Sequence, residues 1–386
     1  MFTLQDLELL LSEDVRRAID ANIDRRPTDI ALDGRVPSAA AVATQVKRLQ
    51  RAAAKLPSYY AVRAVLPPRA YEQSSSEECA ARKRLLGGSV LDLTCGLGVD
   101  AAALARRFER VVTLERDETL AAVARHNLRL LGVENVEVVC ASAEEYVARH
   151  NEHFDWCFAD PDRRGERGEK LVRLEDCSPN VVEMMPALRR IAERICIKCS
   201  PLFDTAEPQR LFGDCSVETV SIGGECKEVN IYIDGEPPMM AAEAVGIGRF
   251  EVEASRIGEY RLAEPPEDLS EYGYVVLPDV ALQHSRLTCA ALSGVAELYS
   301  WTGVALAKSR PEGVLGRVFA IGEVLPFEPK RLKKRFKGER MDILRRDFPM
   351  ANAEIATRLG VREGGSAQWC FTRIGEKLFA IELKKA

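Results

Sequence analysis

The chain has 386 residues, 46% hydrophobic and 29% charged, which is too long for one ordinary core and predicts two or three domains around a sizeable buried interior. No apolar run approaches the roughly 20 residues of a membrane helix, and the acidic, amphipathic start MFTLQDLELLLSEDVRRAID argues against a secretory leader, so a cytoplasmic address is expected. A net charge of −5 gives the molecule as a whole no attraction to polyanions, and eleven cysteines, among them Cys140, Cys157, Cys196 and Cys226 in apolar runs, read as reduced thiols rather than a disulfide framework.

From the N-terminus, LQDLELLLSEDVRRAIDANI and SAAAVATQVKRLQRAAAKL carry helical apolar spacing, the second with Ser38 as its N-cap, before LPSYY and LPPRAYEQ break it. A short helix is expected from about Ser75 to Leu86, with Ser74 or Ser75 as the cap and Glu77 or Glu78 completing a capping box. From Ser89 the pattern changes. The β-branched runs SVLDLT, RVVTLE, VEVVCA and FDWCFAD alternate with the helix-length segments DAAALARRF, DETLAAVARHNLRLLG and SAEEYVARH. Such alternation marks a parallel sheet covered by helices on both faces and joined by right-handed crossovers. RICIKCS, SVETVSI and EVNIYID add three strands, so the expected fold class is α/β with a seven-stranded Rossmann-like sheet ending near Gly235. GEPPMMAAEA reads as a linker, and beyond it the pattern is mixed α and β without a glycine-rich nucleotide loop. GRVFAIGEVLPFEPKRLKKRF predicts a strand and a basic helix, NAEIATRLG a helix, and QWCFTRI and KLFAIEL two closing strands. The expected domains are residues 1–75, helical; 76–235, the sheet; 236–315, an α+β, ferredoxin-like accessory domain; and 316–386, with a seam near Pro311 to Gly316.

In VLDLTCGLGVD a strand runs straight into Gly96-Leu97-Gly98, and a helix opens at Asp100. A dinucleotide loop needs a third glycine for close helix packing and a helix N-terminus free to take pyrophosphate; here Ala101 stands in that place and Asp100 repels phosphate. This disfavours a nicotinamide-dependent dehydrogenase. A neutral or cationic nucleoside suits the loop better, and Asp92, four residues before Gly96, completes the D-x-x-x-G-x-G spacing of S-adenosylmethionine sites. The second strand ends in Glu115, seventeen residues past Gly98, where an acid can accept both ribose hydroxyls of an adenosine. The third ends in Ser142-Ala143-Glu144, where a polar side chain and a backbone N–H can meet the adenine edge. Candidate donor-binding residues are therefore Asp92, Thr94, Cys95, Gly96, Gly98, Asp100, Glu115, Arg116, Ser142 and Ala143, with Asp160 at the end of the next strand. Singly, some have plainer roles: Glu115 or, better, Asp117 can cap the following helix, His126 suits a helix surface and Cys157 a strand core. Cys196 and Cys199 form the single C-x-x-C, in a strand and without a second pair, so no metal site is expected.

From about Ser76 to Asp234 these features resemble class I S-adenosylmethionine-dependent methyltransferases. More narrowly, EQSSSEECAARK, DLTCGLGVD, LERD, ARHN, DPDRR, LEDCSP, IKCSPLFD and SIGGECKEV, with GRVFAIGEVLPF and FPMANAEIATRLGVREGG further on, resemble a bacterial family of methyltransferases carrying a C-terminal THUMP-like domain. The resemblance implies S-adenosyl-L-methionine as cofactor, an RNA target through the THUMP-like domain, and substrate contacts from Gln73 and Ser75. Members often have Gly where this chain has Cys95 and Gly-Asp-Ala where it has Ala141-Ser142-Ala143, a departure that bears on the adenine edge.

Amino-group methyltransferases follow the fourth strand with an Asp-Pro-Pro-aromatic loop whose acid and proline carbonyl take hydrogen bonds from the acceptor amine while the ring stacks on the base. This chain has Asp160-Pro161-Asp162-Arg163. Asp160 and Pro161 are the catalytic candidates, and Arg163 and Arg164 can hold a phosphate or stack on a base where the ring is missing. The plainer reading is a strand end before a proline turn, with Arg163, Arg164 and Arg167 in a solvated loop. Between Lys330 and Arg346, KRLKKRFKGERMDILRR sets nine lysines and arginines against Glu339 and Asp342, so Lys330, Arg331, Lys333 and Lys334 are candidate RNA contacts. The function expected is methyl transfer from S-adenosylmethionine to RNA; the alternative is a non-catalytic S-adenosylmethionine-binding RNA-interaction protein. The oligomeric state is left open.

Overall fold

The computed structural model describes residues 2–163 and 173–386, and the chain folds as two compact units, residues 1–203 with 231–235 and residues 204–230 with 236–386. The first unit opens with helices α1 (Leu4–Leu11), α2 (Glu13–Ala21), α3 (Pro27–Ala31), α4 (Ala39–Lys55), α5 (Pro57–Ala61), α6 (Pro68–Gln73) and α7 (Glu77–Ala80). Thr3 starts α1 with a capping box: its hydroxyl accepts from Asp6 N at 3.2 Å while the Asp6 carboxylate takes Thr3 N at 2.9 Å. Along α4 the apolar side chains recur at helical spacing, and Val42, Val46, Leu49 and Ala52 are all fully buried. Ser38 precedes α4 but is no side-chain cap, because its backbone is left-handed (φ 49°) and its hydroxyl makes no capping bond. The cap of α7 is Ser76, which accepts from Cys79 N at 3.1 Å, rather than Ser74 or Ser75. No capping box forms there, since Glu77 is drawn to α5, where it accepts from Ser58 N at 2.9 Å and Ser58 Oγ at 2.8 Å.

The sheet of this unit alternates with helices as the pattern requires. Its strands are β1 (Gly87–Asp92), β2 (Phe108–Glu115), β3 (Val136–Cys140), β4 (Phe154–Ala159) and β5 (Ala192–Cys199), and the helices between them are α8 (Val99–Leu104), α9 (Glu118–Leu130), α10 (Ala143–Arg149) and α11 (Val181–Ile191). All four pairings are parallel, β1 with β2 and β4, β2 with β3, and β4 with β5, giving the order β3-β2-β1-β4-β5. Such sheets carry their ligands at the C-terminal strand ends, beside the point where the order reverses, here between β1 and β4. Leu97, Val99 and Val123 are buried in one cluster with residues from Leu7 to Tyr71, so the helical segment and the sheet share a core.

After α12 (Glu207–Phe212) come β6 (Ser216–Ile222) and β7 (Glu225–Ile233). Strand β7 is divided between the units, with residues 231–233 in the first and 225–230 in the second. Two further strands follow the expected count of seven: β8 (Met239–Ala244) pairs parallel with β6, and β9 (Gly248–Glu253) antiparallel with β8. The remaining elements are β10 (Tyr274–Pro278), α13 (Val280–His284), α14 (Thr288–Leu292), β11 (Glu297–Leu298), β12 (Ala305–Ala307), β13 (Gly316–Pro326), α15 (Pro329–Phe336), β14 (Arg340–Arg346), α16 (Asn352–Leu359), β15 (Arg362–Glu363), β16 (Ala367–Ile374) and β17 (Lys377–Lys385). Their strands form one eight-stranded sheet in the order β11-β12-β10-β13-β17-β16-β14-β15. Residues 236–315, expected as a ferredoxin-like unit of their own, thus place β8 and β9 beside β6 and β10 to β12 in the sheet that also holds residues 316–385. Helices α15 and α16 cover that sheet through Leu332, Phe336, Ile355 and Leu359, which are buried with Met341, Trp369 and Phe371.

Candidate functional site

Beyond Asp92 the chain turns through Gly96 and Gly98, both in the left-handed region (φ 55° and 80°), into α8. A Cβ on Gly96 would meet nothing within 4 Å, so that flank of the loop is open, whereas one on Gly98 would touch Leu128 at 3.4 Å. Asp92 has no exposed surface. It accepts from Thr94 N at 2.9 Å and Thr113 Oγ1 at 2.6 Å, and burial pushes its carboxyl up to about 7 against those bonds. Cys95 is buried with its N–H donated to Leu114 O at 2.8 Å, and burial raises its thiol.

At the end of β2, Glu115 reaches back to the loop: one oxygen accepts from Gly96 N and the other from Asp117 N, each at 3.0 Å. Burial raises this carboxyl, with the two N–H bonds opposing it. Asp117, as expected, caps α9, taking Leu120 N at 2.9 Å, and Arg116 donates to Ser178 Oγ at 3.1 Å. At the end of β3, Ser142 caps α10 through Glu145 N at 3.2 Å, and Ala143 is buried in the first turn.

Asp160 follows β4. Its N–H donates to Thr94 Oγ1 at 2.7 Å, which ties the glycine loop to the Asp-Pro loop, and its carboxylate is ion-paired with Lys198 of β5. Asp162 exchanges backbone hydrogen bonds with Ser178, at 2.7 and 3.1 Å, and its carboxylate takes Arg69 at 3.0 Å and Gln73 at 3.1 Å. Arg163 is exposed, while Arg164 and Arg167 lie outside the described residues. Asp100 faces inward: Lys83 pairs with it at 2.8 Å and Ser75 Oγ donates to it at 2.6 Å. Burial works against that carboxylate, but Lys83 and Lys198 outweigh it and hold the group at about 2.

The strand ends therefore gather Thr94, Gly96, Glu115, Asp160, Gln73 and Ser75 about one edge of the first unit, whereas Lys330, Arg331, Lys333 and Lys334 are exposed on α15 of the second. Sequence reasoning misses Lys198, Lys83, Arg69 and Lys55. Lys55 donates to Tyr71 O at 2.8 Å, and burial, aided by Lys198, lowers its ammonium to about 8. The signal that could have found Lys198 is a lysine inside the otherwise apolar run ICIKCS, a cost unless a partner waits nearby. Cys196 and Cys199 are buried thiols outside any disulfide, and among the described residues no group of three or more His, Cys, Asp or Glu side chains is placed to hold a metal ion. No helix among them is long and apolar enough to cross a membrane.

The arrangement fits S-adenosylmethionine: open space beside Gly96, an acid on β2 turned to the same loop, and a second acid at the end of β4. Residues 90–161 match a methyltransferase domain and residues 316–385 a THUMP domain-like family. An uncharacterized S-adenosylmethionine-dependent methyltransferase of Mycobacterium tuberculosis is 26% identical over 301 residues, spanning 76% of this chain and 79% of that one. A tRNA/tmRNA (uracil-C(5))-methyltransferase of Shigella flexneri is 28% identical over 142 residues, 32% of this chain and 37% of its own, and an uncharacterized RNA methyltransferase of Thermosynechococcus vestitus is 29% identical over 138 residues, 34% and 31%. The crystal structure of a proposed methyltransferase from Porphyromonas gingivalis W83 shares the fold, with a TM-score of 0.83 over 96% of this chain and 97% of that one at 24% identity. The chain is an S-adenosylmethionine-dependent methyltransferase that carries a THUMP-like domain at its C-terminus.

Proposed function

We propose that this enzyme methylates RNA, with the Asp160-Pro161 loop aligning the acceptor. One observation carries the reading: the same chain joins the donor-binding strand edge to a THUMP-like domain whose helix α15 turns Lys330, Arg331, Lys333 and Lys334 to solvent. A net-acidic protein with five lysines and arginines and no acid on one eight-residue helix has a local electrostatic footprint for phosphate. The relatives named as RNA and tRNA methyltransferases point to the same substrate class.

S-adenosylmethionine, when bound, supplies a methyl group already made electrophilic by its sulfonium, so alignment is the main demand on the protein. Gly96 and Gly98 would let the backbone approach the donor, and Glu115, which accepts from Gly96 N, would hold its ribose hydroxyls. Thr94, Arg116, Ser142 and Ala143 complete the donor side; Asp92, Cys95 and Asp100 shape the loop from behind. Asp160 and the Pro161 carbonyl take hydrogen bonds from the acceptor, with Arg163 and Gln73 on its approach. The proposed parts are residues 1–75, 76–235, 236–315 and 316–386.

The test is methyl transfer from labelled donor to total RNA of cells lacking this protein. Label in RNA that Asp160→Ala abolishes supports the reading; label confined to protein or small molecules overturns it. The missing second proline and aromatic ring favour the one other reading worth testing, a donor-binding RNA-interaction protein without turnover. That reading gains if RNA binding persists while no fraction is labelled.

A further inference from the structure

Lys198 lies between Ile197 and Cys199, both buried, and its own side chain is 11% exposed. An ammonium so far from water needs fixed acceptors. It has the Asp160 carboxylate and, at 3.0 Å, Ser75 Oγ. Ser75 in turn donates to Asp100 at 2.6 Å, and Asp100 pairs at 2.8 Å with Lys83, whose side chain is 1% exposed and lies 5.4 Å from the centroid of the Phe158 ring. Charges thus alternate along a line from the core to the strand edge: Lys83, Asp100, then, across the Ser75 hydroxyl, Lys198 and Asp160. Asp160, at 26% side-chain exposure, is the member at the open end.

We propose that Lys198 is the positioning residue of this site: anchored through Ser75 to the buried Asp100–Lys83 pair, its ammonium fixes the Asp160 carboxylate in the orientation that receives the methyl acceptor. The proposal rests on the assignment of Asp160 to the acceptor. The Asp160 N–H to Thr94 bond fixes the backbone of that residue, and Lys198 fixes its side chain. Among further groups that feel these charges are Lys55 on α4, whose ammonium is lowered by burial and then by Lys198, and Cys199 on β5, whose thiol is raised by burial and by Asp160. A carboxylate free to rotate at the end of β4 loses alignment with the donor, and a misplacement of about 1 Å costs on the order of 100-fold in rate.

A buried ion pair can also be no more than part of the core, so the experiment separates the two roles. Lys198→Met, Lys198→Arg, Asp160→Asn and the double variant Lys198→Met/Asp160→Asn are made in the full chain. Affinity for S-adenosylhomocysteine is measured by calorimetry, and the maximal rate of methyl transfer from labelled donor is read in total RNA and total protein of cells lacking the enzyme. Lys198→Met should lower that rate about 100-fold with affinity held within about twofold, and Lys198→Arg should recover about tenfold. Added to Asp160→Asn it should cost nothing further, because residues that act as a unit are not additive. An equal cost in both backgrounds, or a rate that falls only as donor affinity falls, overturns the proposal. Urea unfolding of the same proteins gives a readout without turnover: the double variant should cost less than the sum of the singles, and additive costs would show the side chains uncoupled. Coupling with label in protein instead of RNA overturns the RNA assignment alone.

Discussion

At the scale of single residues, Asp92 and Glu115 are both carboxylates at strand ends, yet their surroundings assign them different work. Asp92 is sealed behind the glycine loop with its carboxyl near 7, against about 4 in an unfolded chain. The native state therefore holds the proton more tightly, so this group's contribution to stability is greatest below about pH 4 and is lost as pH rises toward 7. Asp92→Asn keeps the shape, accepts from Thr94 N and donates to Thr113, and removes that loss. Between pH 4.5 and 7.5 the difference in unfolding free energy should move in favour of Asn by roughly 2–4 kcal/mol, and parallel urea-denaturation curves for the two proteins would contradict it. Glu115 instead is partly exposed and bonded to Gly96 N, and on its proposed donor-binding role Glu115→Ala should weaken S-adenosylhomocysteine about 10- to 100-fold in calorimetry, the worth of roughly 1.5–3 kcal/mol for hydrogen bonds to a charged group. Since burial raises its carboxyl, donor affinity should begin to fall, on acidification, at a higher pH than an ordinary glutamate would impose. The two glycines and the Asp117 cap were legible because each is a local rule of backbone or helix end. Lys83 and Lys198 were not, because what makes a buried lysine tolerable is a partner distant in sequence: Lys198 finds Asp160 and Ser75, neither of them near it in the chain.

Among elements, the strands and helices from β1 to β5 follow their periods, and the errors ahead of β1 fall at helix ends. Three consecutive serines precede α7, and tertiary contacts decide between them: Ser75 goes to Asp100, which leaves the cap to Ser76, and Glu77 goes to Ser58. Helix α15 was legible as a basic helix, and the structure adds which of its residues are available to bind. Leu332 and Phe336 are 2% exposed and hold it to the sheet, while Arg335 is committed to Glu323 at 2.5 and 3.1 Å. Lys333 and Lys334 are exposed and carry neither duty among the described residues. Exchanging both for glutamine should leave the melting temperature unchanged and weaken binding to total tRNA. The slope of log affinity against log salt should shrink by about 0.7 to 0.9 for each phosphate that is no longer neutralised. An unchanged slope would place the RNA surface elsewhere.

Over the whole chain, the least legible feature is how the first 75 residues relate to the sheet. Their apolar pattern ends at LPPRAYEQ and a new one begins at Ser89, which reads as a domain boundary. Yet Leu97, Val99 and Val123 complete the same buried cluster as Val42, Val46 and Leu49. Polar groups cross the boundary as well: Tyr59 donates to Leu97 O at 3.2 Å, and the Asn127 amide bonds both N–H and C=O of Val65 at 2.9 Å. These bonds join residues up to 62 apart, so no local period carries them. A removable domain leaves its neighbour's core intact; removing this segment leaves apolar surface on the glycine loop and on α9, an unpaired Asn127, and Lys198 without Ser75. A chain of residues 76–386 should therefore lack a cooperative urea transition over its methyltransferase part and fail to bind S-adenosylhomocysteine, where the full chain does both. Cooperative unfolding with full-chain affinity in the truncated protein would show that residues 1–75 are an appendage. Loss of both would make the helical segment a wall of the methyl-transfer site, the wall that supplies Ser75, Arg69 and Gln73 to the loops where the acceptor is expected.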